Sequence, residues 1–294
     1  MTRAAFSVIV PTYEREAALA NCLQALAALD YPRGNLEVIV ADDGSRHPPG
    51  ALLDSFRERL DVRLLTQPHA GPAAARNAAA AQACFEYLAF TDDDCAPARD
   101  WLKAMASVAA ARPGQAIGGP TVNALVGNAY ATASGFISDL MLASHNPEPE
   151  RAKFLPTCNL AVPADRFRAV GGFDACNFPH AAGEDRDFCE RWVTRGFGMV
   201  YAPEVLVYHA NHLDLRGYCR QHLTRGRAAF HYHRKRGWVT LFDGHDAGSS
   251  RAPTLSTAPA RIWHLMLLWR AAHAAGFVWQ GGRWAVRRTA KQRR

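Results

Sequence analysis

The first third of the chain alternates between short apolar runs and longer stretches whose apolar residues recur at helical spacing. The apolar runs are typical of buried strands. They cover residues 6–13, 36–45, 62–66 and 87–94. The stretches between them predict helices. These cover residues 14–30, 51–60 and 71–84. Strand–helix alternation with short connections predicts an α/β fold, with a parallel sheet and helices on both faces.

Beyond the fourth strand the pattern is less regular. Residues 183–197 predict a helix with acids in its first turn, and residues 199–210 predict a pair of strands interrupted by Pro203. The tail that follows is basic and mostly helical in pattern. These changes predict two parts, a domain over residues 1–212 and a helical basic extension over residues 213–294.

Polar side chains follow three of the predicted strands at the point where each strand ends. They are Thr12, Tyr13 and Glu14 after the first, Asp42 and Asp43 after the second, and Asp92, Asp93 and Asp94 after the fourth. Ligands of parallel sheets bind outside the carboxyl ends of the strands. We therefore expect these residues to share one edge that binds a ligand.

Adjacent carboxylates such as those of Asp92, Asp93 and Asp94 repel one another, and a divalent cation relieves the conflict. Oxygen ligands suit Mg²⁺ or Mn²⁺, which bind through one or two carboxylates plus substrate phosphates. Alternate side chains of an extended segment point the same way. We therefore expect Asp92 and Asp94 to share a face, as a DxD arrangement, with Asp93 directed elsewhere. A solvated turn with an N-cap explains an isolated run of aspartates equally well.

Three further positions have two interpretations each. Asp185 either lies at a helix N-terminus because the helix dipole favours acids there, or acts as a general base, with Trp192 as a wall of its pocket. Arg76 pairs either with Asp43 or with a phosphate. His209 is either a structural residue or a metal ligand.

Charge and cysteine content narrow the class of protein. The net charge of +7 is concentrated in residues 216–236 and 283–294, which fits an anionic substrate or lipid surface as well as DNA. No nucleic-acid-binding motif accompanies it, so we expect no nucleic-acid partner. The seven cysteines form no CxxC pair, which argues against a disulfide framework or a structural zinc site and favours a reducing cytosol.

The two ends of the chain bear on its location. The first apolar run is too short for a signal peptide, since Pro11 interrupts it. Near the other end, residues 262–284 are apolar but contain His264, Arg270 and His273. We interpret this stretch as an interfacial helix that does not span a membrane. We expect a cytoplasmic protein, with peripheral contact to the inner face of the membrane through this helix.

Several segments together resemble family 2 glycosyltransferases of the GT-A fold. In the order typical of that family, the chain contains FSVIVPTYERE, EVIVADDGS, GPAAARN, AFTDDDC, NLAVPADRFRAVGGFD, GEDRDFCERW and YHA. The similarity covers about residues 5–212. It implies a Rossmann-like, mostly parallel sheet, a nucleotide-diphosphate sugar donor, Mn²⁺ or Mg²⁺ as cofactor, and inversion at the anomeric carbon.

The resemblance also implies roles for single residues. Asp43 corresponds to the acid that contacts the base or ribose, and Asp92 would lie near the ribose. Asp94 would hold the metal, with His209 completing its shell. Asp185 would be the general base beside Glu184. Further donor contacts would come from Pro11, Thr12, Tyr13, Glu14, Asp42, Arg76, Asp93 and Trp192.

The pattern departs from the family in one respect. Processive members carry a QxxRW motif after the base, whereas this chain has Gln221 and Arg225 in RQHLTRGRAAF. We therefore expect transfer of a single sugar, from a UDP-, GDP- or dTDP-sugar to a glycan or lipid-linked acceptor, with residues 120–155 on the acceptor side. The basic segment 216–236 would hold an anionic acceptor or the donor phosphates.

Three other classes of protein bind similar ligands or share a similar fold pattern. A sugar nucleotidyltransferase usually has a glycine-rich loop after the first strand, where this chain has PTYERE. A dehydrogenase requires GxGxxG after the first strand, and this chain has no such motif there. The third class, a nucleotide-sugar-binding module that has lost its activity, stays an alternative, because the sequence does not establish turnover.

Overall fold

The computed structural model describes residues 4–180, 182–237 and 258–292. The strands are β1 Phe6–Thr12, β2 Leu36–Asp42, β3 Val62–Thr66, β4 Tyr87–Phe90, β5 Cys95–Pro97, β6 Ala116–Gly118, β7 Thr121–Asn123, β8 Leu160–Pro163, β9 Met199–Tyr201 and β10 Val207–His209. The α-helices are α1 Glu16–Ala27, α2 Gly50–Asp54, α3 Pro72–Ala81, α4 Trp101–Ala111, α5 Ala129–His145, α6 Ala164–Val170, α7 Glu184–Thr194, α8 Leu215–Lys235 and α9 Trp263–Gln292.

Seven strands form the central sheet, in the order β3-β2-β1-β4-β8-β6-β9. Its strands pair in parallel except at β8, which is antiparallel to both β4 and β6. The predicted α/β class with a mostly parallel central sheet is therefore confirmed. β5, β10 and β7 form a second, three-stranded sheet in the order β5-β10-β7.

Helices cover both faces of the central sheet, as the continuous burial of β1 and β2 requires. On one face, α1 and α4 contribute Leu19, Leu23 and Trp101 to an apolar cluster. On the other face, α3, α6 and α7 contribute to a second cluster that includes Phe167 and Phe188. Each fully buried side chain of this kind stabilises the fold by roughly 1.5–3 kcal/mol.

Two predicted elements differ in the structure. The helix predicted over residues 51–60 is α2, which ends at Asp54 and continues as turns. The two strands predicted over residues 199–210 are present as β9 and β10 on either side of Pro203, but β9 joins the central sheet while β10 joins the small sheet. The chain turns between them, with the Val205 amide donating to the Ala202 carbonyl, so the two strands separate instead of forming a hairpin.

Asn159 fixes the segment that leads into β10. Its buried amide nitrogen donates to the carbonyls of Pro120 and Val205, at 3.0 and 2.7 Å. Its amide oxygen accepts from the indole of Trp101 at 2.8 Å. These bonds hold the start of β10, and therefore help to fix the position of His209 at its end.

The predicted helical extension contains α8 and α9, which pack against each other and against α5. An apolar cluster joins the three helices through Ile137 of α5, Tyr218 of α8, and Leu265 and Met266 of α9. Residues 238–257 and 293–294 of this extension lie outside the described residues. The acidic first domain and the basic extension are thus in direct contact.

Candidate active site

The carboxyl ends of β1, β2 and β4 meet at one edge of the central sheet, as the sequence predicts. Thr12 and Asp42 are opposite one another in the register of β1 and β2. The Thr12 hydroxyl donates to Asp93, which follows β4, at 2.8 Å. The structure adds the first turn of α7 and the end of β10 to the same edge.

Two arginines neutralise the three adjacent aspartates. Arg76 donates to Asp92 at 2.6 Å. Arg15 binds Asp93 at 2.9 Å and Asp94 at 2.7 Å. Asp93 and Asp94 lie in a turn instead of an extended segment, so the expected alternation is wrong: Asp93 and Asp94 share a partner, while Asp92 has another.

The end of β10 brings an imidazole to the aspartate cluster. His209 is opposite Cys95 in the antiparallel pairing of β10 with β5, and its Nε2 lies 3.1 Å from Asp94. Burial alone would lower the pKa of His209, but the hydrogen bond and charge of Asp94 raise it to about 9. Burial alone would raise the pKa of Asp94, but His209 and Arg15 hold it well below its usual value.

Asp94 and His209 form the part of this edge that suits a metal ion. Together with Cys95 they offer ligand atoms that all lie within 4.8 Å of one another. The carboxylate and imidazole fit Mn²⁺ or Mg²⁺, whereas a thiol favours softer metals. The donor set therefore fits the predicted cofactor through Asp94 and His209.

Arg76 connects the aspartate cluster with α7. Its guanidinium is 3% exposed and binds Glu184 at 3.0 Å in addition to Asp92. The structure thus pairs Arg76 with Asp92 and Glu184 instead of Asp43. Burial and the charge of Asp185 raise the pKa of Glu184 to about 7, and burial also raises the pKa of Asp185.

Asp43 holds a loop. One oxygen of its buried carboxylate accepts from Gln67 and from the amide of Ala70, at 2.7 and 2.9 Å. The other accepts from the amide of Gly71 at 2.8 Å and lies 2.9 Å from Nδ1 of His69. A carboxylate has about four acceptor positions. Asp43 therefore ties the end of β2 to the loop of residues 67–71, and its contact with a base or ribose stays a prediction.

The segment after β1 is more exposed. Pro11 and Thr12 are buried in the strand, whereas the Tyr13 ring is 42% exposed and packs on His69 with 4.3 Å between ring centroids. Glu14 has a φ of 55° and accepts from the Arg46 amide at 2.9 Å. Its left-handed backbone is sparsely populated for such a residue.

Two other predicted residues are structural. Asp42 is fully buried and accepts from the amide of Ser45, which closes the turn after β2. Trp192 does not line the pocket, so that prediction is wrong. It is 0% exposed, packs against Phe188 and Phe197, and donates its indole to the Gly198 carbonyl at 2.9 Å. Its position on α7 directs it into the core.

A cavity of about 270 Å³ opens at this edge. Arg76, Asp92, Glu184, Asp185 and His209 line one end of it. The remaining wall comes from α5, α8 and α9, from β7 and from residues 154–158, and it includes Arg225 of α8. Within residues 120–155, β7, α5 and Phe154 line this cavity, and the assignment of this range to the acceptor side stays a prediction.

The sequence reasoning did not assign roles to two cations. Arg15 directly follows the PTYE segment. Its position just after the first strand is the one feature of the sequence that could have placed it at the site. Arg225 belongs to the basic segment 216–236 that is expected to hold an anionic acceptor or the donor phosphates, but no role is predicted for this residue by itself. It lies close enough to Asp185 for the two charges to interact, a proximity that spans 40 residues of sequence and follows from the packing of α8.

Comparison with known proteins assigns the chain to a family. Residues 7–169 match the model of glycosyl transferase family 2, and the chain belongs to that family. The predicted resemblance is therefore confirmed.

The relatives include the pre-mycofactocin glycosyltransferase of Mycobacterium tuberculosis, which is 30% identical over 76% of this chain. Glycosyltransferase AglE of Haloferax volcanii is 28% identical over 69% of this chain. The chain spans 46% of the mycobacterial relative and 66% of the archaeal one.

Solved structures show the same fold. A mannosyltransferase from Pyrobaculum calidifontis, in complex with GDP-Man and Mn²⁺, superposes with a TM-score of 0.64 at 22% identity, covering 99% of this chain and 76% of that one. S. aureus TarS 1–349 in complex with UDP-GlcNAc gives 0.61 at 17% identity, covering 91% and 79%. The predicted GT-A fold is confirmed. Within the described ranges, none of the helices has the length and hydropathy needed to cross a bilayer.

Proposed function

We propose that this protein transfers one sugar from a nucleotide-diphosphate sugar to an acceptor hydroxyl, with inversion. The observation that carries the proposal is the meeting of Asp185, Asp92 and His209 in one cavity, beside the Asp94 carboxylate. Family membership supports the reaction class. The ligands in the two superposed structures, GDP-Man and UDP-GlcNAc, support a UDP-, GDP- or dTDP-sugar as donor.

The donor would lie along the ends of β1 and β4. Tyr13 presents an exposed ring that can stack on the base, since aromatic stacking tolerates any base. Asp92 lies next, within the cavity, where it can accept from a ribose hydroxyl. Pro11 and Thr12 support this edge from inside the strand.

Asp94 and His209 would hold Mn²⁺ or Mg²⁺. Such a cation stabilises the charge that develops on the diphosphate as it leaves. Arg15, which is half-exposed and bound to Asp93 and Asp94, lies beside this site. Its guanidinium would also pair with a donor phosphate, which suits its fork geometry.

Asp185 would take the proton of the acceptor hydroxyl. The acceptor oxygen forms a bond to the anomeric carbon while the bond from that carbon to the diphosphate oxygen breaks, so configuration inverts in one step. Burial raises the pKa of Asp185, which makes its carboxylate a stronger base. Glu184 is held by Arg76 at 3.0 Å and keeps the first turn of α7 in place.

The test is a titration of UDP-, GDP- and dTDP-sugars, with Mn²⁺ or with EDTA, into wild type and Asp94→Ala. We expect one donor to bind only with the metal, and Asp94→Ala to lose that binding. Asp54→Ala, at an exposed aspartate outside the site, should bind as wild type does. Metal-independent binding, or binding unaffected by Asp94→Ala, would contradict the assignment of Asp94.

A second variant separates binding from chemistry. Asp185→Asn should bind the donor normally but transfer the sugar roughly a hundredfold to ten-thousandfold more slowly. Unchanged transfer would exclude Asp185 as the base. Donor binding by wild type without transfer to any acceptor would favour the inactive binding module. Turnover of a nucleoside triphosphate with a sugar 1-phosphate would favour a sugar nucleotidyltransferase.

We also propose that α9 contacts an anionic membrane surface. Its exposed apolar residues include Trp263, Leu267 and Val278, and its sequence contains no acidic residue. The exposed Arg270 and Arg283 lie on the same helix. Apolar side chains combined with arginines are typical of helices that lie in the bilayer interface. This contact would suit a lipid-linked acceptor.

A further inference from the structure

The cavity continues beyond the catalytic carboxylates into a region with a different surface. Between α5, α8 and α9 its wall is made mainly of apolar side chains. The apolar side chains are Ala131, Ile137, Met141, Leu142, Phe154 and Trp269, and Arg225 of α8 and His273 of α9 add two basic groups. The polar end and this apolar region form one continuous space of about 270 Å³, so a molecule whose hydroxyl reaches Asp185 must also occupy the apolar region or leave it filled with water.

Two polar side chains that face this region, Ser138 of α5 and Asn123 of β7, already have partners. The Ser138 hydroxyl donates to the carbonyl of Ser134 at 3.1 Å. The Asn123 amide nitrogen lies 3.3 Å from the Thr132 hydroxyl, and the Asn123 oxygen accepts from the Leu125 amide at 2.9 Å. A sugar ring carries a hydroxyl on most of its carbons, and each hydroxyl buried without a partner costs about 1–3 kcal/mol.

We propose that the acceptor carries its reactive hydroxyl on, or next to, an apolar body that lies between α5 and the α8–α9 pair. The inference rests on the proposed function, because Asp185 fixes where the hydroxyl must be. The apolar body is either a compact ring or an alkyl chain. A second sugar ring of an oligosaccharide does not suit this part of the cavity.

Gly135 of α5 offers a direct way to fill the apolar region. It lines the cavity, and a Cβ added there would meet only the Cβ of Asn123, at 3.5 Å. Glycine is also the weaker helix former by about 1 kcal/mol relative to alanine. A larger side chain at this position should therefore occupy the cavity without opposing the helix.

The probes are methyl, phenyl and octyl β-D-glucosides, which share one sugar and differ in the aglycone. Each is titrated into wild type in the presence of UDP or GDP with Mn²⁺. We expect the phenyl or the octyl glucoside to bind at least tenfold more tightly than the methyl glucoside. Preference for phenyl identifies a ring, and preference for octyl identifies a lipid chain. Equal affinities, or tighter binding of a glucose disaccharide than of all three, would overturn the inference.

Two variants assign the preference to this region. Gly135→Leu should abolish the preference for the apolar aglycone and leave binding of the methyl glucoside unchanged, and the smaller Gly135→Ala should reduce the preference if the leucine variant does not fold. Ala129→Leu introduces the same side chain at the exposed start of α5 and should behave as wild type. A preference that survives Gly135→Leu would overturn the inference.

The glucoside titrations do not depend on sugar transfer. If wild type shows no metal-dependent donor binding, that result would therefore contradict the proposed function but not the preference for an apolar aglycone. A normal donor titration combined with indifference to the aglycone would contradict only the apolar acceptor.

Discussion

Arg76 is the residue through which the two acidic clusters depend on each other. It is buried and binds both Asp92 and Glu184, which are far apart in sequence. Burial alone would lower the pKa of Arg76, but the charges of these acids raise it above its ordinary value. Its role is therefore structural as well as electrostatic, since the buried Glu184 would be an uncompensated charge without it.

Arg76→Met should lower the free energy of unfolding by about 3 kcal/mol, because removing one partner of a buried ion pair leaves the other charge unpaired. Urea denaturation measures the loss. The double variant Arg76→Met with Glu184→Gln should recover part of it, because the glutamine is uncharged. Full additivity of the two single losses would show that Arg76 and Glu184 do not interact.

His222 predicts a pH dependence of stability. It is 0% exposed, and neither ring nitrogen has a hydrogen-bond partner among the described residues. Burial lowers its pKa to about 3, against about 6.5 in an unfolded chain. Between these values the unfolded chain binds the extra proton, so stability falls as the pH drops below about 6.5, by at most about 1.4 kcal/mol per pH unit.

His222→Leu should therefore flatten the dependence of the unfolding free energy on pH between 7 and 5. Urea denaturation at several pH values measures the slope. His264→Leu removes an exposed histidine of α9 and serves as the matched control. A slope that stays as steep in His222→Leu as in wild type would contradict the assignment.

At the scale of elements, the sequence predicted what depends on local pattern. The first four strands and α3 follow from short apolar runs and from Pro72 at the first turn of the helix. The meeting of three strand ends at one edge follows from parallel pairing. α5 was not predicted, because small residues such as Gly135 and Ser134 interrupt its apolar pattern and it packs on α8 and α9, far along the chain.

For single residues of the site, too, the sequence predicted only what depends on local pattern. The sequence pattern predicted that Asp92 and Asp94 lie at the edge formed by the strand ends, and the family resemblance added Asp185 and His209 to the same site. It did not predict that Arg15 neutralises two of the aspartates, nor that Trp192 enters the core. Those outcomes depend on side-chain direction and long-range packing, which no local spacing encodes.

The exposed face of α9 predicts binding to vesicles that contain phosphatidylglycerol, at low salt. The affinity should fall as salt rises, since screening weakens the attraction between arginines and lipid headgroups. Leu267→Glu combined with Val278→Glu should weaken binding at least tenfold in a vesicle sedimentation assay. Val122→Glu changes an exposed valine of β7 and should have no effect. Equal binding to neutral and anionic vesicles would contradict the arginine contribution.

At the scale of the whole molecule, the boundary predicted at residue 212 crosses a continuous set of contacts. Lys235 of α8 binds Asp187 of α7 at 2.6 Å and Asp174 at 2.9 Å. The guanidinium of Arg186 lies over the Tyr232 ring, 4.3 Å from its centroid. The cavity itself has walls from both parts. We infer that the extension and the α5–α7 side of the first domain form one cooperative unit.

Leu265→Asp tests this inference. Leu265 is 3% exposed in the cluster that also contains Ile137 and Tyr218, so an aspartate there would be buried without a partner. Hydrogen exchange should become faster in α5, not only in α9, because a cooperative unit opens as a whole. Leu267→Asp places the same charge two residues further along α9, where the leucine is 65% exposed, and should leave exchange in α5 unchanged. Faster exchange confined to α8 and α9 in Leu265→Asp would mean that the extension opens independently, and that the α5 wall of the cavity keeps its position without it.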